Sequence, residues 1–272
     1  MPKGAQFFVV SAIFHYLGPS FAVLLFAQVA PIGVAWLRIA TAALVYAAWR
    51  RPWRVVRRPS RDMVAMGVVL GLMNPCFYLA IDRLPLATVA AIEFLPVLAL
   101  AAAGVRSSRN ATAMVTAFGG VWLLTDAQIA GEPLGLALAF GNAALFSLYI
   151  MLAHRVSRDP AVAGIDGLAA AMIVAAGVVG PIGFGAAAPA FGDPRLLAAG
   201  IAVGVTSSVV PYVFDQLAMA RMARATYALM VSLLPATAAV IGVIVLAQVP
   251  GPVETAGIGL VVGGIALHRE SR

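Results

Sequence analysis

The sequence predicts an all-α integral membrane protein with ten transmembrane helices, and three observations carry that expectation. Of 272 residues, 62% are hydrophobic and only 11% charged, a balance that no water-soluble domain of this size needs to fill its core. Apolar stretches of roughly 20 residues, the length that crosses a bilayer, follow one another with short breaks between them. The basic residues gather in alternate breaks, as the orientation of a membrane protein requires.

Breaks at Pro, Gly and charged residues divide the chain into spans at 7–27, 30–49, 63–82, 85–105, 110–127, 133–153, 164–186, 195–217, 225–247 and 253–268. The first run is too long for the apolar core of an ordinary signal peptide, and Pro31 is a poor residue to follow a cleavage after Ala30, so it is retained as a span. The largest basic block, Arg50, Arg51, Arg54, Arg57, Arg58 and Arg61, follows the second span. Arg106 and Arg109, Arg155 and Arg158, Arg221 and Arg224, and Arg269 and Arg272 follow the fourth, sixth, eighth and tenth. With Lys3 these are 15 of the 18 basic residues on one side; the opposite loops hold Arg83 and Arg195, and Arg38 lies inside a span. This bias puts both termini in the cytoplasm and makes the number of spans even.

The formal charge of +7 would suit nucleic acid, but the interleaved basic and aromatic residues of such a surface are missing, and nucleic-acid binding is excluded. Cys76, the single cysteine, forms no internal disulfide or cysteine metal site and reads as a small packing residue.

The two halves of the chain resemble each other. Arg83-Leu-Pro-Leu-Ala-Thr88 with Leu95-Pro96 is echoed, with a one-residue gap, by Arg221-Met-Ala-Arg-Ala-Thr226 with Leu234-Pro235. Five spans is an odd number, so a five-helix unit repeated in tandem, here 1–130 and 131–272, enters the membrane in opposite orientations. In transporters built this way the binding site lies at the midplane between the halves.

Charges inside a span mark candidate sites, because each costs about 2.5–3.5 kcal/mol at the bilayer centre unless a partner or a watery cavity receives it. Arg38 and Glu93 each lie eight residues from the outer start of their spans, and Asn74 eight before the outer end of its own, so all three sit about 12 Å deep at 1.5 Å per residue. An Arg38–Glu93 ion pair that locks helices together and a role in binding substrate or protons are both open readings. His15, in the cytoplasmic half of the first span, is either a proton carrier or a hydrogen-bonded packing residue. Asn142, Ser207 and Ser208 lie near mid-depth and either line a cavity or join helices. Tyr16, Tyr78, Tyr149 and Tyr212 offer ring faces and hydroxyls to a ligand or to packing. Asp82, Asp126 and Asp215 fall near span ends, where solvation suffices.

Gly67 and Gly71, Gly200 and Gly204, and Gly259 and Gly263 form G-x-x-x-G pairs, a spacing that allows close helix contact within a monomer or in a homodimer. Pro75, Pro96, Pro181, Pro211 and Pro235 interrupt spans and free carbonyls at kinks. There is no H-E-x-x-H, no G-x-S-x-G and no phosphate-binding loop. Neither an enzyme nor direct ATP coupling is expected, and no metal or cofactor is implied.

Several stretches resemble the drug/metabolite transporter superfamily with its paired EamA domains, and within it the threonine/homoserine exporters of the RhtA type. They are Gly33–Arg38 with Arg51-Pro-Trp-Arg54, Gly71-Leu-Met-Asn74 with Phe77-Tyr-Leu79, Ile92-Glu-Phe94, Leu148-Tyr-Ile150, Pro211-Tyr212, and Leu233-Leu-Pro-Ala236 with Ala238-Ala-Val240. The resemblance covers nearly the whole chain. It implies two EamA repeats forming a ten-helix exporter of the bacterial inner membrane, with a central cavity, and carries Arg38, Asn74, Glu93, Tyr149 and Tyr212 over as matched positions. The sequence departs from the family pattern at Leu234 and Gln248, where Glu is frequent, and in a Glu93–Pro96 spacing one residue shorter than usual.

The expected function is outward transport of a small polar metabolite, an amino acid such as threonine or homoserine, by alternating access in exchange for protons. Arg38 would face the substrate carboxylate, and Glu93 its ammonium group or a proton. Export of a drug, a nucleoside or another metabolite is the nearest alternative, and a passive channel the alternative of another class.

Overall fold

The computed structural model describes residues 4–57, 59–103, 108–129, 132–158, 165–219, 221 and 234–267. Lys3, Arg58, Arg106, Arg224, Arg269, Arg272, the 130/131 junction, the segment 222–226 of the internal match and the start of the ninth span lie outside the described residues, as do the side chains of Pro96, Asp126 and Arg158.

Every described element is helical: α1 Ala5–Leu25, α2 Pro31–Arg50, the short α3 Trp53–Arg57, α4 Arg61–Ile81, α5 Leu86–Ala103, α6 Ser108–Ile129, α7 Pro133–Arg158, α8 Ile165–Ala186 and the short α9 Ala188–Gly192. Then α10 Pro194–Gly204 runs through a π-helical turn, Val205–Val209, into α11 Val210–Met219, and α12 Leu234–Leu246 and α13 Pro252–Leu267 follow. Each of the ten apolar stretches carries a helix among its described residues, and several stretches run one or two residues past it, as at 26–27, 30, 82, 85 and 247. Among the described residues six helices can cross a membrane by length and composition: α1, α2, α4, α7, α8 and the continuous Pro194–Asp215; Leu86–Leu95, Ala111–Leu124 and Leu234–Leu246 are shorter apolar helices.

Local chemistry explains where helices start. α2, α7, α10 and α13 open on Pro31, Pro133, Pro194 and Pro252, a position where the missing N–H costs nothing and the fixed φ suits a helix. Ser60 caps α4, its Oγ accepting from Met63 N at 3.2 Å, and Asp193 caps α10, its Oδ1 accepting from Arg195 N at 2.8 Å. Arg51 closes α2 in the left-handed region at φ 50°.

Large apolar side chains also cover the outside: Leu44 is 71% exposed, Trp122 68% and Ile244 75%. That surface suits lipid, where helices carry all backbone hydrogen bonds internally. Inside, α4 packs on α7 and α8, α1 on α11 and α12, α2 on α8 and α10, α5 on α7 and α12, and α6 on α13.

Two of the glycine pairs make these contacts within the chain. A Cβ on Gly67 would stand 2.6 Å from Val174 Cβ and one on Gly71 2.9 Å from Val178 Cβ; one on Gly200 would stand 2.7 Å from Leu37 Cδ1 and one on Gly204 2.5 Å from Thr41 Cβ. Gly259 and Gly263 do not behave this way, having no neighbour within 4 Å of such a Cβ; the glycines that bring α13 against α6 are Gly257 and Gly264. Gly204→Val is therefore expected to cost about 1–3 kcal/mol by overpacking. It should lower the thermal midpoint of the purified protein in detergent, while Gly259→Val changes the stability by no more than about 0.5 kcal/mol.

Candidate functional site

The buried polar side chains gather where α1, α2, α4, α5, α7 and the π turn meet: Arg38, Asn74, Glu93, Asn142, Ser207 and Ser208 are all buried. The π turn has a readable cause. Pro211 has no N–H for the carbonyl four residues back, and its ring crowds that carbonyl, so the Ser207 C=O loses its helical partner. Arg38, reaching over from α2, takes that carbonyl: its Nη2 donates to Ser207 O at 3.0 Å and its Nε to Ser208 Oγ at 2.7 Å. Tyr46, two turns further along α2, donates to Ser208 O at 3.3 Å or Val209 O at 3.4 Å. Ser11 on α1 donates to Pro211 O at 3.1 Å. The widened turn is thus held by side chains from two other helices, which fits the tendency of such turns to occur at functional sites.

Arg38 also lies over the ring of Tyr78, 5.4 Å from its centroid, so the guanidinium is packed on one face by an aromatic from α4. Arg38, Tyr78, Ser207 and Ser208 therefore form one constellation.

Glu93 belongs to another. Its Oε1 accepts from Asn142 Nδ2 at 2.9 Å, joining α5 to α7, and Phe94 meets Phe146 edge to face at 5.7 Å beside it. Arg38 and Glu93 do not form an ion pair; the pairs among the described residues are Arg50–Asp166, Arg83–Asp82 and Arg155–Asp62. The ion-pair reading of the two intramembrane charges is thereby replaced: each has its own neutral partners, and they act on one another only electrostatically.

The remaining candidates divide. His15 stands edge-on to Tyr16 at 5.6 Å and Tyr212 at 6.5 Å between ring centroids, and Tyr212 is buried. Tyr149 is half-buried against Phe146. Asn74 joins neither constellation, its Nδ2 donating to Leu70 O at 2.8 Å on its own helix. Tyr46 was not legible as a site residue, because nothing in its own neighbourhood distinguishes it from a packing tyrosine.

Among the described residues four buried polar atoms have no hydrogen-bond partner: Tyr16 OH, Tyr78 OH, Asn142 Oδ1 and Ser207 Oγ. Buried groups left like this are costly and call for an explanation, and in a binding site the absent partner is the ligand. A separate cleft of about 270 Å³ lies between the start of α5 and α12–α13, lined by Pro85, Thr88, Gly242, Gln248 and Glu254. There Gln248 Oε1 accepts from Leu86 N at 3.0 Å, so the residue that departs from the family pattern ties α5 to the turn after α12.

Residues 133–269 match the EamA-like transporter family. The chain is 32% identical over 267 residues to the threonine/homoserine exporter RhtA of Escherichia coli strain K12, covering 94% of this chain and 89% of that protein. It is 33% identical over 241 residues to the threonine/homoserine exporter RhtA of Salmonella typhimurium strain LT2, covering 85% of this chain and 79% of that protein. In three dimensions it resembles a protein solved by crystallography with a TM-score of 0.64 at 18% identity, over 98% of this chain and 96% of the other, a likeness of fold.

Proposed function

Because the chain belongs to the EamA-like transporter family, we propose that it exports an amino acid of the threonine/homoserine kind across the bacterial inner membrane, by alternating access and in exchange for protons. It is a multi-pass membrane transporter and not an enzyme, and its partners are a small-molecule substrate and membrane lipid.

The observation that carries the proposal is a buried carboxylate without a cation. Among the described residues Glu93 has one hydrogen-bond donor, Asn142, and no ion-pair partner, so in a low-dielectric surrounding its charge is compensated best by a proton or by a substrate ammonium group. One carboxylate that holds either of these, in turn, couples their opposite movements. Arg38 is aimed by the π turn with two of its five N–H groups engaged, and the fork suits a substrate carboxylate.

The reading includes ten spans in two inverted repeats, 1–130 and 131–272, with both termini in the cytoplasm. The packing supports it. α4 rests on α7 as α1 rests on the α10–α11 segment, α4 on α8 as α2 on that segment, and α5 on α7 as α1 on α12, while α2–α8, α5–α12 and α6–α13 pair counterpart with counterpart. Gly67 and Gly71 against α8, and Gly200 and Gly204 against α2, repeat the same contact in each half. A two-fold between the halves would exchange every one of these pairs.

The test is a panel of radiolabelled amino acids with the purified protein in proteoliposomes, with and without a pH gradient. Saturable, countertransport-stimulated flux of threonine or homoserine that the gradient drives uphill is the expected result. Flux of none of the amino acids would end the reading, and non-saturable flux would favour a channel.

A further inference from the structure

We propose that Tyr16 and Asn142 complete, with Glu93, a binding site for a primary ammonium group. The inference rests on the amino-acid reading above and specifies which side chains receive the substrate's amino end.

It starts from an inventory of donors and acceptors. Asn142 spends its Nδ2 on Glu93 Oε1, at 2.9 Å, and this leaves its Oδ1 with nothing to accept from while fully buried. The Tyr16 hydroxyl is also fully buried and also without a partner; Ser20 Oγ, close by, donates to the backbone carbonyl of Tyr16 and not to the ring oxygen. Tyr16 lies within electrostatic reach of the Glu93 carboxylate. It shares a continuous buried cluster with Ile92, Phe94 and Ala143, the chain neighbours of Glu93 and Asn142. Three helices, α1, α5 and α7, thus contribute a hydroxyl, a carboxylate and an amide oxygen, the first two within electrostatic reach of one another and the last two on hydrogen-bonded side chains. Arg38 acts on Glu93 only at a distance; its Nε and Nη2 donate to the π turn.

A primary ammonium brings one positive charge and three N–H donors, which matches one carboxylate and two further oxygens. A hard metal cation would gather about six oxygens or more. An anion or a neutral molecule would leave the charge of Glu93 uncompensated.

The experiment uses the full chain in proteoliposomes loaded with threonine, following counterflow of labelled threonine. The competitors are unlabelled threonine, its des-amino analogue 3-hydroxybutyrate, and N,N,N-trimethylthreonine. The wild-type protein should prefer threonine strongly over both analogues. In Asn142→Leu and in Tyr16→Phe the concentration of threonine needed for half-inhibition should rise on the order of tenfold, the worth of a hydrogen bond to a charged group, while that of the des-amino analogue stays put. Preference for the ammonium group is then lost.

Variants that carry flux with wild-type preference overturn the proposal. Tyr16→Phe decides if Asn142→Leu does not insert, because the oxygen it removes makes no hydrogen bond in the fold. Counterflow that needs sodium in the wild type, and loses that need in Asn142→Leu, would make this a metal-ion site and also overturn the proposal. Absence of any labelled amino-acid counterflow by the wild type overturns the amino-acid reading itself and is recognised by occurring without any substitution.

Discussion

Glu93→Gln is expected to abolish accumulation of substrate driven by a pH gradient while leaving substrate exchange partly intact. Among the described residues the carboxylate, buried on α5, has a single donor from Asn142 and no cation at ion-pair distance, and in the proposed exchange a proton or a substrate ammonium group neutralises it in turn. An amide keeps the shape and the hydrogen bond to Asn142 but binds no proton, which removes the means by which proton entry could release substrate. His15→Ala, by contrast, is expected to retain the response to the gradient: its ring makes edge contacts with Tyr16 and Tyr212 and no hydrogen bond to Glu93 or Asn142 among the described residues. Uphill transport in proteoliposomes with only a pH difference imposed is the deciding measurement. A Gln variant that still concentrates substrate there would remove Glu93 from coupling.

The second large effect is at Arg38. Arg38→Ala should abolish transport, and it should also destabilise the protein, because Ser207 O and Ser208 Oγ lose their donor inside the bundle at about 1–3 kcal/mol for each group left unsatisfied. Arg38→Lys should recover stability only in part, since one ammonium on a flexible stem does not reproduce a planar fork that serves a carbonyl and a hydroxyl together. Exchanging the charges, Arg38→Glu with Glu93→Arg, should rescue neither folding nor transport. The introduced carboxylate would face the Ser207 carbonyl, acceptor against acceptor, and the introduced guanidinium would face the Asn142 N–H. Rescue by the exchange would imply a direct pair, and wild-type flux by a correctly inserted Arg38→Ala would remove the residue from the site. Flux and thermal midpoints, measured on the same preparations, separate the two effects.

These expectations differ from those that residue depth alone would give. Counting from the span ends puts Arg38, Glu93 and Asn74 in one layer, because rise per residue is a local property of a helix. Depth does not give azimuth. Each residue turns the side chain by about 100° around the axis, and only the packing of α2 on the π turn, and of α5 on α7, says which way each group points. Arg38 therefore found Ser207 and Ser208 some 170 residues away, Glu93 found Asn142, and Asn74 folded back onto its own Leu70.

The glycine pairs divide on the same ground. All three have the spacing that permits close approach, but Gly67–Gly71 and Gly200–Gly204 meet neighbouring helices and Gly259–Gly263 meets none. Tyr46 is the extreme case, a tyrosine whose chain neighbours carry no signal and whose hydroxyl nevertheless braces the π turn.

What was legible without coordinates is what depends on run length, composition and short-range bonding. The all-helical membrane character follows from apolar stretches too long and too continuous for water. The weak point in the eighth apolar stretch is also local, since Pro211 must orphan the carbonyl four residues before it whatever surrounds the helix. The identity of the group that claims that carbonyl, the separation of the two buried charges, and the four buried polar atoms without a partner among the described residues are non-local. They arise only when helices distant in sequence close on one another, because burial in a packed bundle decides which polar groups are satisfied, and local spacing does not encode that.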